Sequence, residues 1–351
     1  MAAVIAGAGV VTPIGLSLAE TSASARARVA RLREIDWVDR RFEPFIVGTV
    51  PDDGLPPLDK AFEEEPVQYR EARMLRLAHA ALEQAVAALD PPAGPLPLLL
   101  GLSEHHTTQP IDGRRFLQRL ALQSKVALNL RASVAAARGR AAGVMALKRA
   151  SQVIENAQFP YVLVGGVDSL VDLYVLGTLD LQGRIRGETV SDGFSPSEGA
   201  AFLLLTTPER AQSEKLPVLA RIAGTATAAE PGHIYSEENY LGEGLASAFT
   251  QLLDAAPPSG LIECIFASFN GERYWARELG TARLRNSKLF APELQMEHPA
   301  ECFGDLGAAF GPTLVALAAH GVSAGFRGAP CLTYASSDYG DRAAVLLEKA
   351  G

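Results

Sequence analysis

Short apolar runs bounded by glycine or proline alternate with longer amphipathic segments along the whole chain. Eight runs are predicted to be strands: 3–11, 96–102, 161–167, 200–205, 218–224, 261–268, 331–336 and 343–347. Helical spacing of apolar side chains predicts helices over 71–89, 143–157, 245–253 and 307–319. Alternation of strands and helices is typical of α/β architecture. The 351 residues are enough for one large α/β domain or for two fused halves.

The best candidate for a connector between two halves is the polar segment 206–217, which contains two prolines. Polar residues with proline favour a loop between regular elements. The sequence therefore predicts an N-terminal half over residues 1–210 and a C-terminal half over residues 211–351.

The charge pattern argues against a nucleic-acid or membrane protein. The formal net charge is -8, and it comes from dispersed carboxylates without blocks of one sign. No apolar run reaches the roughly 20 residues that a transmembrane helix needs, and the apolar start of the chain lacks the basic region of a signal peptide. Three cysteines, Cys264, Cys302 and Cys331, have no CxxC spacing, which is typical of a reducing compartment. We expect a cytoplasmic protein.

Other polar clusters give weaker indications. Glu104, His105 and His106 are adjacent on one predicted loop, and adjacent residues rarely converge on one metal ion, so we expect neither a metal nor a cofactor. Glu198 is predicted to be a buried hydrogen-bonding group. Asp168 follows a predicted strand and is expected to cap the next segment.

Five segments, in this order, resemble the ketosynthase branch of the thiolase superfamily. They are 7–15 (GAGVVTPIG), 134–167 with its Gly165-Gly166 pair, 191–205 (SDGFSPSEGAAFLLL), 302–311 (CFGDLGAAFG) and 336–347. The resemblance implies a thiolase fold, an α/β architecture of two similar halves stacked in five α-β-α-β-α layers. It also implies a dimer formed through the strand that follows the nucleophile helix.

The residues that carry the chemistry of this family are absent at the matching positions. β-Ketoacyl-acyl carrier protein synthases use a cysteine thiolate at a helix N-terminus and two histidines. Arg140 stands at the position of the cysteine, Phe269 at about that of the first histidine, and Asp305 at that of the second. We therefore expect no catalytic residues and no ketosynthase activity.

Arg140 requires a partner if it points inward. A cation at a helix N-terminus opposes the helix dipole by roughly 0.3–1 kcal/mol, before any cost of burial. Asp305 is the candidate partner, and an Arg140–Asp305 ion pair would fill the former active site. In the alternative, Arg140 turns outward and Asp305 caps the helix that follows it.

Three functions remain open. The first is a catalytically inactive protein that acts through protein contacts, because all three catalytic groups are replaced. Segments 270–273 and 301–309 are similar to those of ketosynthase-like proteins of type VI secretion clusters. The partner would then be a secretion effector or adaptor. The second is a non-catalytic subunit resembling a chain-length factor, paired with an active ketosynthase in fatty acid or polyketide synthesis, although the chain is short for that role. The third is a residual enzyme using Cys302, which lacks a neighbouring base. Homodimerisation is possible in each case.

Overall fold

A computed structural model describes residues 3–89, 94–105 and 110–350. This part of the chain contains twelve strands and eleven helices. The strands are β1 (Val4–Val11), β2 (Leu32–Val38), β3 (Pro44–Gly48), β4 (Leu98–Leu102), β5 (Val134–Ala137), β6 (Val162–Ser169), β7 (Glu198–Thr206), β8 (Ala220–Ala229), β9 (Ile262–Phe266), β10 (Phe290–Glu297), β11 (Cys331–Ser336) and β12 (Asp341–Glu348). The helices are α1 (Leu18–Arg26), α2 (Ala61–Glu64), α3 (Tyr69–Val86), α4 (Gly113–Ser124), α5 (Ala142–Glu155), α6 (Leu173–Leu181), α7 (Pro208–Ser213), α8 (Glu243–Ala255), α9 (Arg273–Arg285), α10 (Ala300–Phe303) and α11 (Phe310–Ser323).

All eight predicted strands and all four predicted helices are present, with bounds that differ by a few residues. The pattern missed β2, β3, β5 and β10, which are short or largely exposed and therefore lack a strong apolar run. No helix in the described ranges has the length and apolar character needed to cross a bilayer.

Ten strands form one hydrogen-bonded sheet in the order β10-β9-β11-β12-β8-β1-β7-β6-β4-β5. The order consists of two sets of five strands with the same internal arrangement. In each set the first strand along the chain lies beside the fifth, and the fifth pairs antiparallel with the fourth. The sets meet where Val4 and Ile5 of β1 pair with Arg221 and Ala220 of β8. The predicted boundary at residue 210 falls within α7 and stays a prediction.

The helices complete five layers. Helices α5 and α11 lie between the two strand sets, and their side chains share one apolar cluster with strands of both sets. Helices α3 and α4 cover the outer face of the first set, whereas α8 and α9 cover that of the second set. This arrangement agrees with the α-β-α-β-α layers that the resemblance implies.

Two glycines let the central helices approach closely. A Cβ atom on Gly143 of α5 would lie 2.2 Å from Cγ of Pro312 on α11, and one on Gly166 of β6 would lie 2.1 Å from the carbonyl oxygen of Ala308. No side chain fits at either position. The N-terminal ends of α5 and α11 are consequently held side by side, and the residues just before each helix come together.

One expectation about dimerisation is wrong. The strand that follows the nucleophile helix is β6, which is hydrogen-bonded to β4 on one side and to β7 on the other. It has no free edge for a partner strand. The outermost strands of the ten-stranded sheet, within the described residues, are β5 and β10.

Candidate functional site

Arg140 and Asp305 meet between the central helices. Arg140 lies in the 3-10 turn Gly139–Ala141 that leads into α5, and Asp305 precedes the 3-10 turn Gly307–Ala309 that leads into α11. Arg140 Nε lies 2.7 Å from Asp305 Oδ2, and both residues are buried. The predicted ion pair is confirmed, and the alternative in which Arg140 turns outward is wrong.

Asp305 combines the two roles that the sequence left as alternatives. Its Oδ1 accepts a hydrogen bond from the backbone N–H of Gly307 at 2.9 Å, which satisfies a donor at the start of the helical segment. Its Oδ2 accepts from Arg140 and, at 2.7 Å, from Nδ2 of Asn270. Capping and pairing are compatible because a carboxylate has two acceptor oxygens.

The ion pair continues into a larger set of buried charges. Asp338 lies between two guanidinium groups, with Oδ1 2.6 Å from Arg140 Nη1 and Oδ2 2.7 Å from Arg184 Nη1. Arg184 then holds Glu272 in a two-pronged contact, Nε to Oε1 at 2.7 Å and Nη2 to Oε2 at 2.8 Å. We call Arg140, Arg184, Glu272, Asp305 and Asp338 the charge network; none of them is more than 7% exposed.

The carboxylates keep both arginines charged. Burial lowers the pKa of Arg140, but attraction to Asp305 and Asp338 outweighs burial and the net pKa is raised. Burial likewise lowers the pKa of Arg184, and Asp338 and Glu272 together raise it well above its ordinary value. The ring of Phe194 lies 5.8 Å from Cζ of Arg140 and 5.3 Å from Cζ of Arg184, which adds a favourable cation–π contact to each.

Little space remains beside Arg140, whereas a larger groove of about 530 Å³ opens beside Arg184 and Glu272. A cavity of about 30 Å³ lies against Arg140 and Asp338 and is also lined by Ser103, Glu104 and Phe194. This volume is enough for a water molecule. It is too small for an acyl group bound to a nucleophile.

Phe269 lies apart from the network. Its half-buried ring packs against the apolar cluster of the second strand set, and its centroid is 5.0 Å from that of His298. The neighbouring Asn270 contacts Asp305 instead. The structure therefore brings together two of the three positions singled out in the sequence. That the three correspond to the catalytic positions of the ketosynthases stays a prediction.

The expected role of Asp168 is wrong, whereas that of Glu198 is confirmed. Asp168 lies within β6 and does not cap a segment after it; it accepts from Arg70 at 2.6 Å and from the backbone N–H of Ala308 at 2.9 Å. Glu198 is buried and accepts from the backbone N–H of Val50 at 2.9 Å, and it pairs with Arg73 at 2.6 Å. Both carboxylates tie the first strand set to neighbouring elements.

Three members of the network were missed in the sequence: Arg184, Glu272 and Asp338. Arg140 and Asp338 are 198 residues apart, and Arg184 and Glu272 are 88 apart, so no local spacing connects them. Only their position relative to the predicted strands could have indicated them. Glu272 and Asp338 each follow a predicted strand closely, and the strand ends of this fold lie near the starts of the central helices.

Among the described residues, neither the loop that contains Glu104 nor the cysteines form a further site. Glu104 accepts the backbone N–H groups of Asp338 and Tyr339 at 3.1 and 3.0 Å, and His106 lies outside the described residues. No group of three or more potential metal ligands occurs in the ranges that the structure describes. Cys302 is buried, and burial raises the pKa of its thiol although the charge of Arg28 acts to lower it. A reactive thiolate is disfavoured there.

Comparisons with known proteins establish the fold and no more. The chain matches no protein-family model and no curated protein. Among solved structures it is similar to the ishigamide ketosynthase/chain length factor, with a TM-score of 0.81 and 17% identity over 100% of this chain and 99% of that one. It is also similar to the AntDE ketosynthase in a type II polyketide synthase complex with the acyl-carrier protein AntF, with a TM-score of 0.79 and 16% identity over 99% of both chains.

A modular ketosynthase has the same fold. Module 6 of the bacillaene synthase from Bacillus subtilis 168 matches with a TM-score of 0.82 and 15% identity over 100% of this chain and 72% of that one. The predicted thiolase-type architecture is therefore confirmed. Identities this low leave the activity of the present chain open.

Proposed function

We propose that this chain is a non-catalytic, ketosynthase-like subunit that acts by binding an active ketosynthase, in the manner of a chain-length factor. The observation that supports the proposal is the charge network, which contains Arg140, the residue that the sequence resemblance aligns with the nucleophile of the ketosynthases. A guanidinium cannot form a thioester, and Arg140 is held by two carboxylates. The cavity of about 30 Å³ beside it leaves no room for an acyl intermediate.

An exposed apolar face supports a protein partner. Helix α6 presents Leu173, Tyr174 and Leu181 to solvent, and Tyr69 lines a groove together with Tyr174. Leu181 is 73% exposed and Tyr174 is 69% exposed. Groups of large apolar side chains on a surface are typical of protein interfaces. We call these four residues the α6 patch.

The comparisons favour this function over the adaptor of type VI secretion. One similar structure is a ketosynthase/chain length factor, and another contains a ketosynthase with its acyl-carrier protein. By the length of its sequence, the chain is short for a chain-length factor. The alignment with the ishigamide ketosynthase/chain length factor covers 99% of that chain, which weakens this objection. The adaptor hypothesis has no finding in its favour and stays a prediction.

The test is affinity purification of the tagged chain from its native cells, followed by mass spectrometry and by mixing with the recovered partner. We expect a ketosynthase with an intact cysteine in stoichiometric amount. Incubation of the purified chain with an acyl-carrier thioester is expected to leave its mass unchanged. Tyr174→Arg with Leu181→Arg is expected to abolish the complex, because buried charges in an apolar interface cost several kcal/mol.

The matched control is Val29→Arg with Leu130→Arg, which introduces the same charge at exposed apolar positions outside α6. It is expected to leave the complex intact. Covalent acylation of the chain would refute the absence of catalysis. Recovery of a secretion effector without a ketosynthase would favour the adaptor.

A further inference from the structure

The outer surface of α9 is strongly basic in a chain whose net charge is -8. Its only carboxylate, Glu278, points inward, where Oε1 lies 2.5 Å from Nε of Arg342 on β12, and both side chains are fully buried. The charges facing solvent are therefore all positive. We define the α9 face by six exposed residues of α9 and of the 3-10 turn that follows it: Arg273, Arg277, Gly280, Leu284, Arg285 and Lys288.

Most of these cations form no ion pair within the described residues, although Cζ of Arg277 lies 5.8 Å from the ring centroid of Tyr240. Arg273 pairs with Asp192 at 2.8 Å, but its side chain stays 82% exposed. Within the part of the chain that the structure describes, Arg277, Arg285 and Lys288 form no ion pair with a carboxylate. Cations without internal partners contribute little to the fold and act mainly on what approaches the surface.

The α9 face also contains apolar surface. Leu284, the last residue but one of α9, is 76% exposed. A Cβ atom on Gly280 would meet no atom within 4 Å, so nothing inside the chain requires a glycine there. Glycine is less stable than alanine inside a helix. Arg273, Arg277, Gly280 and Leu284 follow one another at spacings of four, three and four residues and so form one stripe.

We propose that the α9 face binds a helical segment of an acidic protein partner. Carboxylates on the partner would pair with Arg277, Arg285 and Lys288, and an apolar side chain would contact Leu284. The absence of a side chain at Gly280 lets a second helix approach closely. A nucleic acid fits less well, since the whole chain is negative, and one leucine buries too little area to hold a membrane surface.

This inference goes beyond the proposed function and does not rest on it. The α9 face covers the outer side of the second strand set, whereas the α6 patch belongs to the segment that follows β6. Failure at one surface would leave the other unaffected. The two proposals are therefore tested by separate variants.

The test measures binding of a fluorescein-labelled helical peptide of about 18 residues, a length that sustains a helix, by fluorescence anisotropy on the full chain. The peptide carries glutamates on one stripe around a leucine. Arg277→Glu with Arg285→Glu is expected to raise Kd at least about tenfold at low salt. Lys148→Glu with Arg149→Glu changes the net charge equally at exposed positions of α5 and is expected to raise Kd less than about twofold.

A second set of variants separates the apolar contact from charge. Leu284→Ala is expected to weaken binding by a similar factor at low and at high salt, because an apolar contact is not screened. Leu122→Ala removes an exposed leucine, 42%, of α4 on the first strand set and is expected to leave Kd unchanged. Gly280→Gln is expected to block binding without a change of charge.

The proposal would be overturned if Lys148→Glu with Arg149→Glu raised Kd as much as Arg277→Glu with Arg285→Glu does, since that would show a general effect of net charge. The proposal would also be overturned if a 20-base-pair DNA duplex or phosphatidylserine vesicles bound with the same affinity as the peptide and lost binding equally in the α9 variants. Absence of peptide binding would also overturn it. Thermal unfolding checks that each variant is folded, and Arg277→Gln with Arg285→Gln replaces the charge reversal if that variant melts earlier.

Discussion

At the scale of single residues, each buried charge of the network depends on the others. Two guanidinium groups face three carboxylates, and all five come from different segments of the chain. The attraction between buried opposite charges compensates the loss of water only when every partner is present. Removing Arg140 leaves unpaired carboxylates beside a cavity that admits little more than one water molecule.

Arg140→Met is expected to lower the free energy of unfolding by about 3–5 kcal/mol, because Asp305 and Asp338 lose their shared guanidinium. Urea unfolding followed by circular dichroism measures this. The matched control is Arg138→Met, since Arg138 pairs with Asp341 at 2.9 Å but its side chain is 55% exposed. We expect the control to cost less than about 1 kcal/mol.

A double variant checks the mechanism. Arg140→Met combined with Asp305→Asn is expected to cost less than the sum of the two single variants, because the second change removes a charge that the first has left unpaired. Additive losses, or a loss for Arg140→Met no larger than that of the control, would contradict the network.

At the scale of elements, α1 docks against the end of α11 through stacked polar and aromatic groups. Cζ of Arg26, the last residue of α1, lies 3.9 Å from the ring centroid of Phe326, and the ring of His320 on α11 lies 5.6 Å from the same ring. Burial, and then the charge of Arg26, lowers the pKa of His320 below its ordinary value of 6.5. The neutral imidazole is therefore the form that fits the folded chain.

We expect the contribution of His320 to stability to be complete above about pH 6.5 and to be lost as the pH falls through the lowered pKa of the folded chain. The unfolded chain binds the proton more readily than the folded chain, so acid favours unfolding. Urea unfolding at pH 7.5 and 5.5 should show a smaller pH dependence for His320→Gln than for the unchanged chain. An identical pH dependence would show that His320 does not carry the effect.

Some strands and helices could be predicted from the sequence and others could not. Strands such as β6 and helices such as α3 are buried over their length, so their apolar pattern predicts them directly. The outermost strands β5 and β10 are partly exposed, and their weak apolar pattern gave no prediction. Arg140 and Asp305 were found because the resemblance to the ketosynthases aligns them with the cysteine and the second histidine of that family. Arg184 was not, because its partners are set by contacts between distant segments.

At the scale of the whole molecule, the two strand sets share one core. Helices α5 and α11 contribute side chains to an apolar cluster that contains residues from strands of both sets. Neither set could keep its inner face covered if the other unfolded. The exposure of that face would cost about 25 cal/mol for each Å² of apolar surface.

We therefore expect a single unfolding transition. Trp37 lies in β2 beside the first set and Trp275 lies in α9 over the second. Variants with Trp37→Phe or Trp275→Phe leave one fluorescent reporter in each half. In each variant, the urea midpoint from tryptophan fluorescence should equal the midpoint from circular dichroism of the same variant. An earlier midpoint reported by either tryptophan would show that the halves unfold separately.

The repeated strand order shows that the Arg140–Asp305 ion pair joins the two repeats, which bears on the order in which its members could arise. Arg140 precedes the central helix of the first repeat and Asp305 precedes that of the second, so the two occupy corresponding places in the two repeats. Arg184, Asp338 and Glu272 already neutralise one another in part without them. Without the pair, one guanidinium faces two carboxylates, so Arg140 alone would still pair with Asp338, whereas Asp305 alone would add a third carboxylate without a cation. An ancestral chain reconstructed with Asp305 but without Arg140 should therefore be less stable than one with Arg140 but without Asp305.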